Sequence, residues 1–500
     1  MRRYLPPTLI AALILLAGCG GGSDLPVADA GPDQYIDTRS LIILSGRGAD
    51  TNPALQYRWS ITNKPPGSRA ILSNAYTRSP TFPADIPGIY LIKLEIVDGV
   101  RIVSEDTTRV FLDSRVGTNT QDRTVLDAWK SLQGQIDKAG SGARLHLNPN
   151  IVYKLTSSLD LRDYRDITID GNGATLLRAD ASEVSTILSY DYDGSTIIHV
   201  TAVPPNYRIG DFIVIASGQS INDVTVPARK ILRIDGNFIE VDSPFSGPHS
   251  SGSVILKSFP LITGMPSHIE SGSNPGIILQ NIIFDGNGRA NTVNFGWPIN
   301  GTIILHGGGN SEIRFNRFID ISNENIIGHG IKIHHNTFDG LNGSALHTSV
   351  NDITRHINTP ASFTDNAVFN PNRLEKFLNG HSEGAITFSW GEGLQIERNF
   401  FISDSHNYGV LGFFNGTAPN RNDNLFVKEN YAYGFEYIID IYKPLSEVTP
   451  LNILVTNNIF INSGGFIVRG PIDDASVRLG CNVGIDNEII EAPQGMGECI

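Results

Sequence analysis

One phrase recurs through the second half of the chain: a short apolar run, an asparagine, then an aromatic or aliphatic residue two or three positions on. It reads Ile278-Leu279-Gln280-Asn281-Ile282-Ile283-Phe284, then Ile313-Arg314-Phe315-Asn316-Arg317-Phe318. Further copies centre on Asn336, Asn366, Asn399, Asn430 and Asn458, and a worn copy ends at Asn482. From Asn281 onward the steps are 35, 20, 30, 33, 31, 28 and 24 residues. A period of this length marks a solenoid, in which each unit buries its apolar face only by stacking on the next.

Each copy is too short for a good helix. Alternation such as Ile331-Lys332-Ile333-His334 has period two, which makes a strand with one buried and one wet face. The asparagine is expected at the bend, where it tolerates left-handed backbone angles and hydrogen-bonds across the turn. Stacked copies are expected to bond to one another along the axis. The pattern resembles the right-handed parallel β-helix of pectate-lyase-like proteins, from about Thr124 to Asn487. That fold hosts lyases, hydrolases, epimerases, phage spikes and adhesins, so the resemblance implies architecture without fixing one chemistry.

Five hundred residues leave room for two or three domains. A net charge of −13 argues against a nucleic-acid partner. Charged residues are only 18% and glycines number 51, which suits turn-rich β structure. The three cysteines lie far apart with no metal-ligand spacing, and no metal site is legible.

Residues 1–18 read as a targeting segment. Arg2 and Arg3 precede an apolar run, Leu9 to Leu16, too short to span a bilayer as a stable anchor. Leu16-Ala17-Gly18-Cys19 resembles a bacterial lipobox, which implies cleavage before Cys19 and lipidation of its sulfur. The alternative is an ordinary secretory signal that contains a cysteine. Residues 19–24 form a glycine-rich tether. Gly20 in place of aspartate resembles the outer-membrane sorting class of Gram-negative lipoproteins, implying an outer-membrane location facing the periplasm or the cell surface.

Residues 25–112 read as a small β-sandwich. Leu41–Leu44, Leu55–Trp59, Ile89–Ile96 and Thr108–Leu112 are expected strands, separated by turn clusters such as Gly31-Pro32-Asp33 and Asp98-Gly99. The phrases Ala28-Asp29-Ala30-Gly31-Pro32-Asp33, Tyr57-Arg58-Trp59-Ser60 and Val97-Asp98-Gly99 resemble a PKD-type, Ig-like domain. Such modules are spacers or carbohydrate- or protein-binding accessories, and Trp59 reads as a core residue.

A polar linker, 113–123, follows. Val125, Trp129, Leu132, Ile136 and Ala139 then fall at helical spacing, which predicts a helix plugging the N-terminal end of the solenoid. The stretch 196–257 breaks the repeat and is expected to be an inserted β subdomain, the alternative being irregular early coils. Cys481 precedes a C-terminal tail, 488–500, that contains Cys499; an exported chain can oxidise the two, the alternative being two unpaired thiols.

One strand of each coil is expected to align into a sheet with a wet face. The positions collected there are His306, His347, His381, Glu383, Trp390, Phe414, Asp440, Tyr442, Lys443 and Arg469. Aromatics beside histidine, lysine, arginine and carboxylates suit an extended sugar chain, so the partner expected is a polysaccharide and the chain is expected to be monomeric. The phrase Glu436 to Lys443, followed by Gly464 to Arg469, resembles the lysine-then-arginine arrangement of chondroitinase B-like and alginate lyases. The resemblance implies Lys443 as the base and Arg469 as acid or carboxylate binder, with a Ca2+ ion allowed by the family; the mechanism expected from these residues has Arg469 neutralise the carboxylate and Tyr442 or His347 protonate the leaving oxygen. The chain departs from that family, because no Arg-His-Gly follows. Gly328-His329-Gly330 echoes the polygalacturonases without their upstream acidic partners. A non-catalytic glycan-binding or adhesive surface lipoprotein fits the same features.

Overall fold

The computed structural model describes residues 27–485 apart from 32–33, 37–40, 50–53, 87, 113–123, 180–183, 191–194, 206, 217–228, 245–253, 258, 265–275, 288–301, 322–324, 340–342, 349–360, 370–383, 389–392, 404–408, 415–423, 436, 443–451, 465 and 470–476. The targeting segment, Cys19, the tether, the linker, Cys499 and the tail 488–500 therefore lie outside the described residues.

The N-terminal sandwich contains β1 (Gln34–Ile36), β2 (Leu41–Ile43), β3 (Leu55–Asn63), β4 (Thr81–Pro83), β5 (Gly88–Asp98) and β6 (Arg101–Leu112). One sheet runs β1-β6-β5-β3 and a second pairs β2 with β4. Trp59, Phe82, Tyr90, Ile92 and Leu94 fill the space between them. Ser45-Gly46 can pass this core only without a side chain at Gly46, since a Cβ there would fall 2.5 Å from Trp59 Cζ2.

Residues 124–485 form a right-handed parallel β-helix whose coils repeat three strand positions. The first and second positions merge into one 17-stranded sheet and the third makes an 11-stranded sheet. The merger comes from two long strands, Ile303–Arg314 and Ile326–His334, that carry the chain round the corner without breaking; their register shifts between His306 and Ser311 at a run of glycines. Inside, apolar residues stack in continuous columns. Phe284, Phe318 and Phe338 lie ring on ring at 4.9 and 4.6 Å.

A ladder of asparagines closes the bend between the second and third positions. Along Asn316, Asn336, Asn366, Asn399, Asn430, Asn458 and Asn482, each backbone N–H donates to the Oδ1 of the next, at 2.8–3.1 Å. Each Nδ2 also donates to a carbonyl of the preceding coil at 2.8–3.0 Å. The expected bonding along the axis is thus present, but the left-handed residue is one place earlier than expected. Phe315, His335, Asp365, Arg398, Glu429, Asn457 and Cys481 have φ of 50–58°. Such angles are unfavourable for most of these side chains. The buried amide bonds that follow over-determine the bend. Asn281 is out of phase with its successors: it takes the left-handed place at φ 55°, and Ile282 fills the ladder slot, its N–H donating to Asn316 Oδ1 at 2.9 Å.

The plugging helix is present as α1 (Trp129–Ala139), with Leu132 and Ile136 buried against the first coils. Trp129 Nε1 donates to the Ser158 carbonyl at 2.8 Å. Val125 does not belong to the helix; it lies on a strand, Thr124–Asp127, paired in parallel with Ile151–Leu155, where β-branched residues are at home. Among the described residues no helix is long and apolar enough to cross a membrane.

The insertion is a closed six-stranded barrel with its own core of Ile198, Ile213, Ile215, Ile231, Ile239 and Ile255. Its first strand, Val184–Tyr190, begins before the expected boundary at 196. An ion network ties the barrel to the first coils: Asp160 accepts from Arg162 Nε at 2.9 Å and from Lys230 Nζ at 2.7 Å, and Arg162 reaches Asp242 at 2.7 Å. Burial works to raise the Asp160 pKa, but these cations outweigh it and hold the carboxyl below its usual range. At the far end Cys481 is disulfide-bonded; Cys499, its expected partner, lies outside the described residues.

Candidate functional site

The first strand position carries most of the residues singled out above. Parallel pairing without register slips stacks His347, Thr387, Gly412, Asp440 and Ile467 in one column across five coils. Two residues further along the chain, Phe414, Tyr442 and Arg469 form the next column of the same parity. Adjacent strands lie about 4.8 Å apart, so the backbones of Phe414 and Arg469 are about 10 Å apart with Tyr442 between them. His306 sits opposite His329 in the same manner. His381, Glu383, Trp390 and Lys443 lie outside the described residues.

One expectation is corrected here. His347 is not a wet residue: it is 5% exposed, and its column mates Ile304, Ile327 and Thr387 are 5, 9 and 0% exposed. Alternation along the strand was read as alternation between core and water, but Ile304, Ile327, His347 and Thr387 are buried although they alternate with the core residues. The register also places His347 four coil steps, about 19 Å, from the level of Arg469. A histidine there cannot protonate a leaving group on the sugar whose carboxylate Arg469 would hold.

The second strand position presents a polar face that the list above missed. Asp170 accepts from Gln280 Nε2 at 2.9 Å, and Gln280 Oε1 accepts from Arg314 Nε at 3.0 Å. Arg314 pairs with Glu312 at 2.6 Å, and Glu312 lies 4.0 Å from His334 Nε2. Burial tends to raise the Asp170 pKa, but hydrogen bonds from Asn281 and Gln280 prevail and hold it low. Two coils beyond His334, Gln395 is exposed and Glu397 half-buried; on the next coil Lys428 Nζ lies 5.5 Å from the Phe426 ring centroid. Polar groups repeating at the coil spacing match a polymer laid along the axis. The signal was present in the alternation at Ile331 to His334.

At the corner beside this face, His334 and His335 share a 2.9 Å contact between their Nδ1 atoms. Burial pushes the His335 pKa down to about 4; Asp365 opposes this, and His334, Arg109 and Arg398 reinforce it. Among the described residues no three His, Cys, Asp or Glu side chains gather as metal ligands.

No family model matches the chain, and no curated protein matches it. Solved structures similar to it include the Family 28 exopolygalacturonase of Yersinia enterocolitica, 11% identical, covering 95% of this chain and 98% of that one with a TM-score of 0.37. The endo-xylogalacturonan hydrolase of Aspergillus tubingensis is 11% identical, covering 74% of this chain and 91% of that one at a TM-score of 0.30. A solution structure of the PKD domain from KIAA 1837 protein is 26% identical over 21% of this chain and all of that one, at a TM-score of 0.17.

Proposed function

We propose that this chain is an extracytoplasmic protein that acts on a polysaccharide, held at the outer membrane by lipid on Cys19, and that its reaction is β-elimination on a uronate-containing glycan. The observation that carries the reading is the in-register column Phe414–Tyr442–Arg469 beside Asp440 on adjacent coils. It combines two aromatic residues, a carboxylate and a cation within the length of a short saccharide. In this scheme Lys443 removes the proton next to the uronate carboxylate, Arg469 neutralises that carboxylate as the enolate develops, and Tyr442 protonates the leaving oxygen. His347 has no part in it.

The test is ultraviolet absorbance of unsaturated uronate ends during incubation with a panel of acidic polysaccharides. A rise abolished by Lys443→Ala supports elimination; new reducing ends without the absorbance would mean hydrolysis instead. The polar face from Asp170 through Arg314 to Lys428 favours a second reading, a non-catalytic glycan binder. Retardation of the protein in a polysaccharide-loaded gel, with no cleavage of any kind, would select it. Membrane release by Cys19→Ala tests the anchor separately.

A further inference from the structure

Ile89 and Phe111 face one another across β5 and β6, yet neither belongs to the sandwich core. Their chain neighbours Tyr90, Val110 and Leu112 fill that core, so Ile89 and Phe111 point out of the other side of the sheet. On a free module they would be wet. They are 4 and 1% exposed because they pack against Ala367, Phe369 and Ile402 of the solenoid. Phe111 stacks on Phe400 with ring centroids 3.5 Å apart. Arg109, on the same face, donates from Nη1 to Asp365 Oδ1 at 3.1 Å and to the Arg398 carbonyl at 2.6 Å. The backbones also meet at Gly88, where a Cβ would lie 2.6 Å from Thr337 Oγ1, and at Gly173, where one would lie 2.9 Å from Gly67 N.

The solenoid is patterned to receive this face. At the third strand position the two outward columns are mixed in the early coils, with Ile283, Arg317 and Thr337 in one and Asp285, Ile319 and Asp339 in the other. From the next coil they turn apolar, through Ala367 and Phe400 in the first and Phe369, Ile402 and Tyr433 in the second. Contacts with the sandwich reach from Gly173 to Phe400. That is five coil steps, about 24 Å.

Modules joined by a polar linker are mobile by default unless their interface is large and apolar. We propose that this interface makes sandwich and solenoid one cooperative body, with the sandwich as a fixed flank that closes the third face to any saccharide. The partner of the apolar columns at Ala367–Ile402 is the chain's own first domain. A swinging carbohydrate-binding accessory is incompatible with that role, because its outer sheet face is already occupied.

Hydrogen exchange on the full chain, read by mass spectrometry, tests this. Phe111→Asp is expected to speed exchange at Phe400–Ile402 roughly tenfold or more, since it removes a buried aromatic and puts a charge in its place. Phe400→Asp is expected to do the same to β6 from the other side. Heating the unaltered protein is expected to give one transition, with exchange protection in β3 and β5 lost in step with that of the solenoid strands. Protection in β3 also reports whether each variant keeps its sandwich; should Phe111→Asp lose it, Phe400→Asp carries the test alone. Unchanged exchange in the facing strand, or separate losses of protection in the sandwich and the solenoid of the unaltered protein, would overturn the proposal.

Discussion

Asn366 Oδ1 accepts two hydrogen bonds from Asn336, one from the backbone N–H at 2.8 Å and one from Nδ2 at 3.1 Å. Asn366 Nδ2 in turn donates to the Ile333 carbonyl and to Asn399 Oδ1. The residue is fully buried, so replacing it strands donors on one side and acceptors on the other. Each unsatisfied buried group costs about 1–3 kcal/mol.

Asn366→Ala is therefore expected to destabilise the solenoid by about 3–5 kcal/mol in urea unfolding. Asn366→Asp keeps the acceptor but sets a second oxygen against the Ile333 carbonyl and Asn399 Oδ1 in a buried site, and is expected to cost at least as much. The same change at Asn281, which sits outside the ladder, is expected to cost much less. Equal losses at both positions would mean that the ladder is not what holds the bend.

A pH effect is expected from His335. Its folded pKa of about 4 lies below the ordinary value of 6.5, so between those limits the unfolded chain binds the extra proton. Stability contributed by the neutral buried imidazole is fully present above pH 6.5 and is lost as pH falls toward about 4. The contribution is at most about 3 kcal/mol. Protonation there would also place a cation beside Arg109 and Arg398, at the seat of the sandwich. Carboxylates titrate in the same range, so the readout is the difference in urea midpoint between the native protein and His335→Gln, followed from pH 7 to 4. A difference that does not shrink on acidification would contradict the assignment.

Arg178 carries a third expectation. It is 5% exposed, and its Nε and Nη2 have no hydrogen-bond partner. Among the described residues it lies 5.8 Å from the centre of the Phe259 ring. Burial pushes its pKa down to about 10. A buried charge without a partner costs more than it contributes, and exchanging such groups for apolar ones is often neutral or stabilising by about 1–4 kcal/mol. Arg178→Met is expected to hold or raise the unfolding midpoint. A marked fall would mean that the guanidinium has an anionic partner in solution.

Much of the architecture was legible in the sequence because repetition and period-two patterning are local properties. The asparagine spacing marked the coils, and the phrases around Trp59 marked the sandwich. The phase of the ladder was less legible. Asn281 looks like its successors in sequence, and only the neighbouring coil shows that Ile282 holds the slot. His347 was misread because alternation tells which residues leave the core, not what lies over them. Ile89 and Phe111 were read simply as strand residues, and burial on both faces of a strand acquires meaning only when the covering partner, here Phe400 and Phe369, is known. The proximity of Tyr442 to Arg469 depends on coil length, and hence on loops whose lengths vary from copy to copy.

The last prediction concerns the Phe414–Tyr442–Arg469 column. If elimination is the reaction, the three residues should fail in different ways. Tyr442→Phe removes a proton donor that matters only in the transition state, so kcat is expected to fall by about 10²–10⁴-fold with KM little changed. Phe414→Ala removes a stacking surface present in ground and transition states alike, so KM is expected to rise while kcat holds. Arg469→Ala is expected to lower kcat/KM most for uronate-rich substrates and least for neutral glycans, since its partner is the carboxylate. His347→Gln, four coil steps away, is expected to leave all three parameters unchanged while lowering stability. Steady-state kinetics on one uronate polymer and one neutral polymer separate these outcomes. A loss of kcat at His347 with none at Tyr442 would reverse the assignment, and equal losses on charged and neutral polymers would remove Arg469 from the carboxylate.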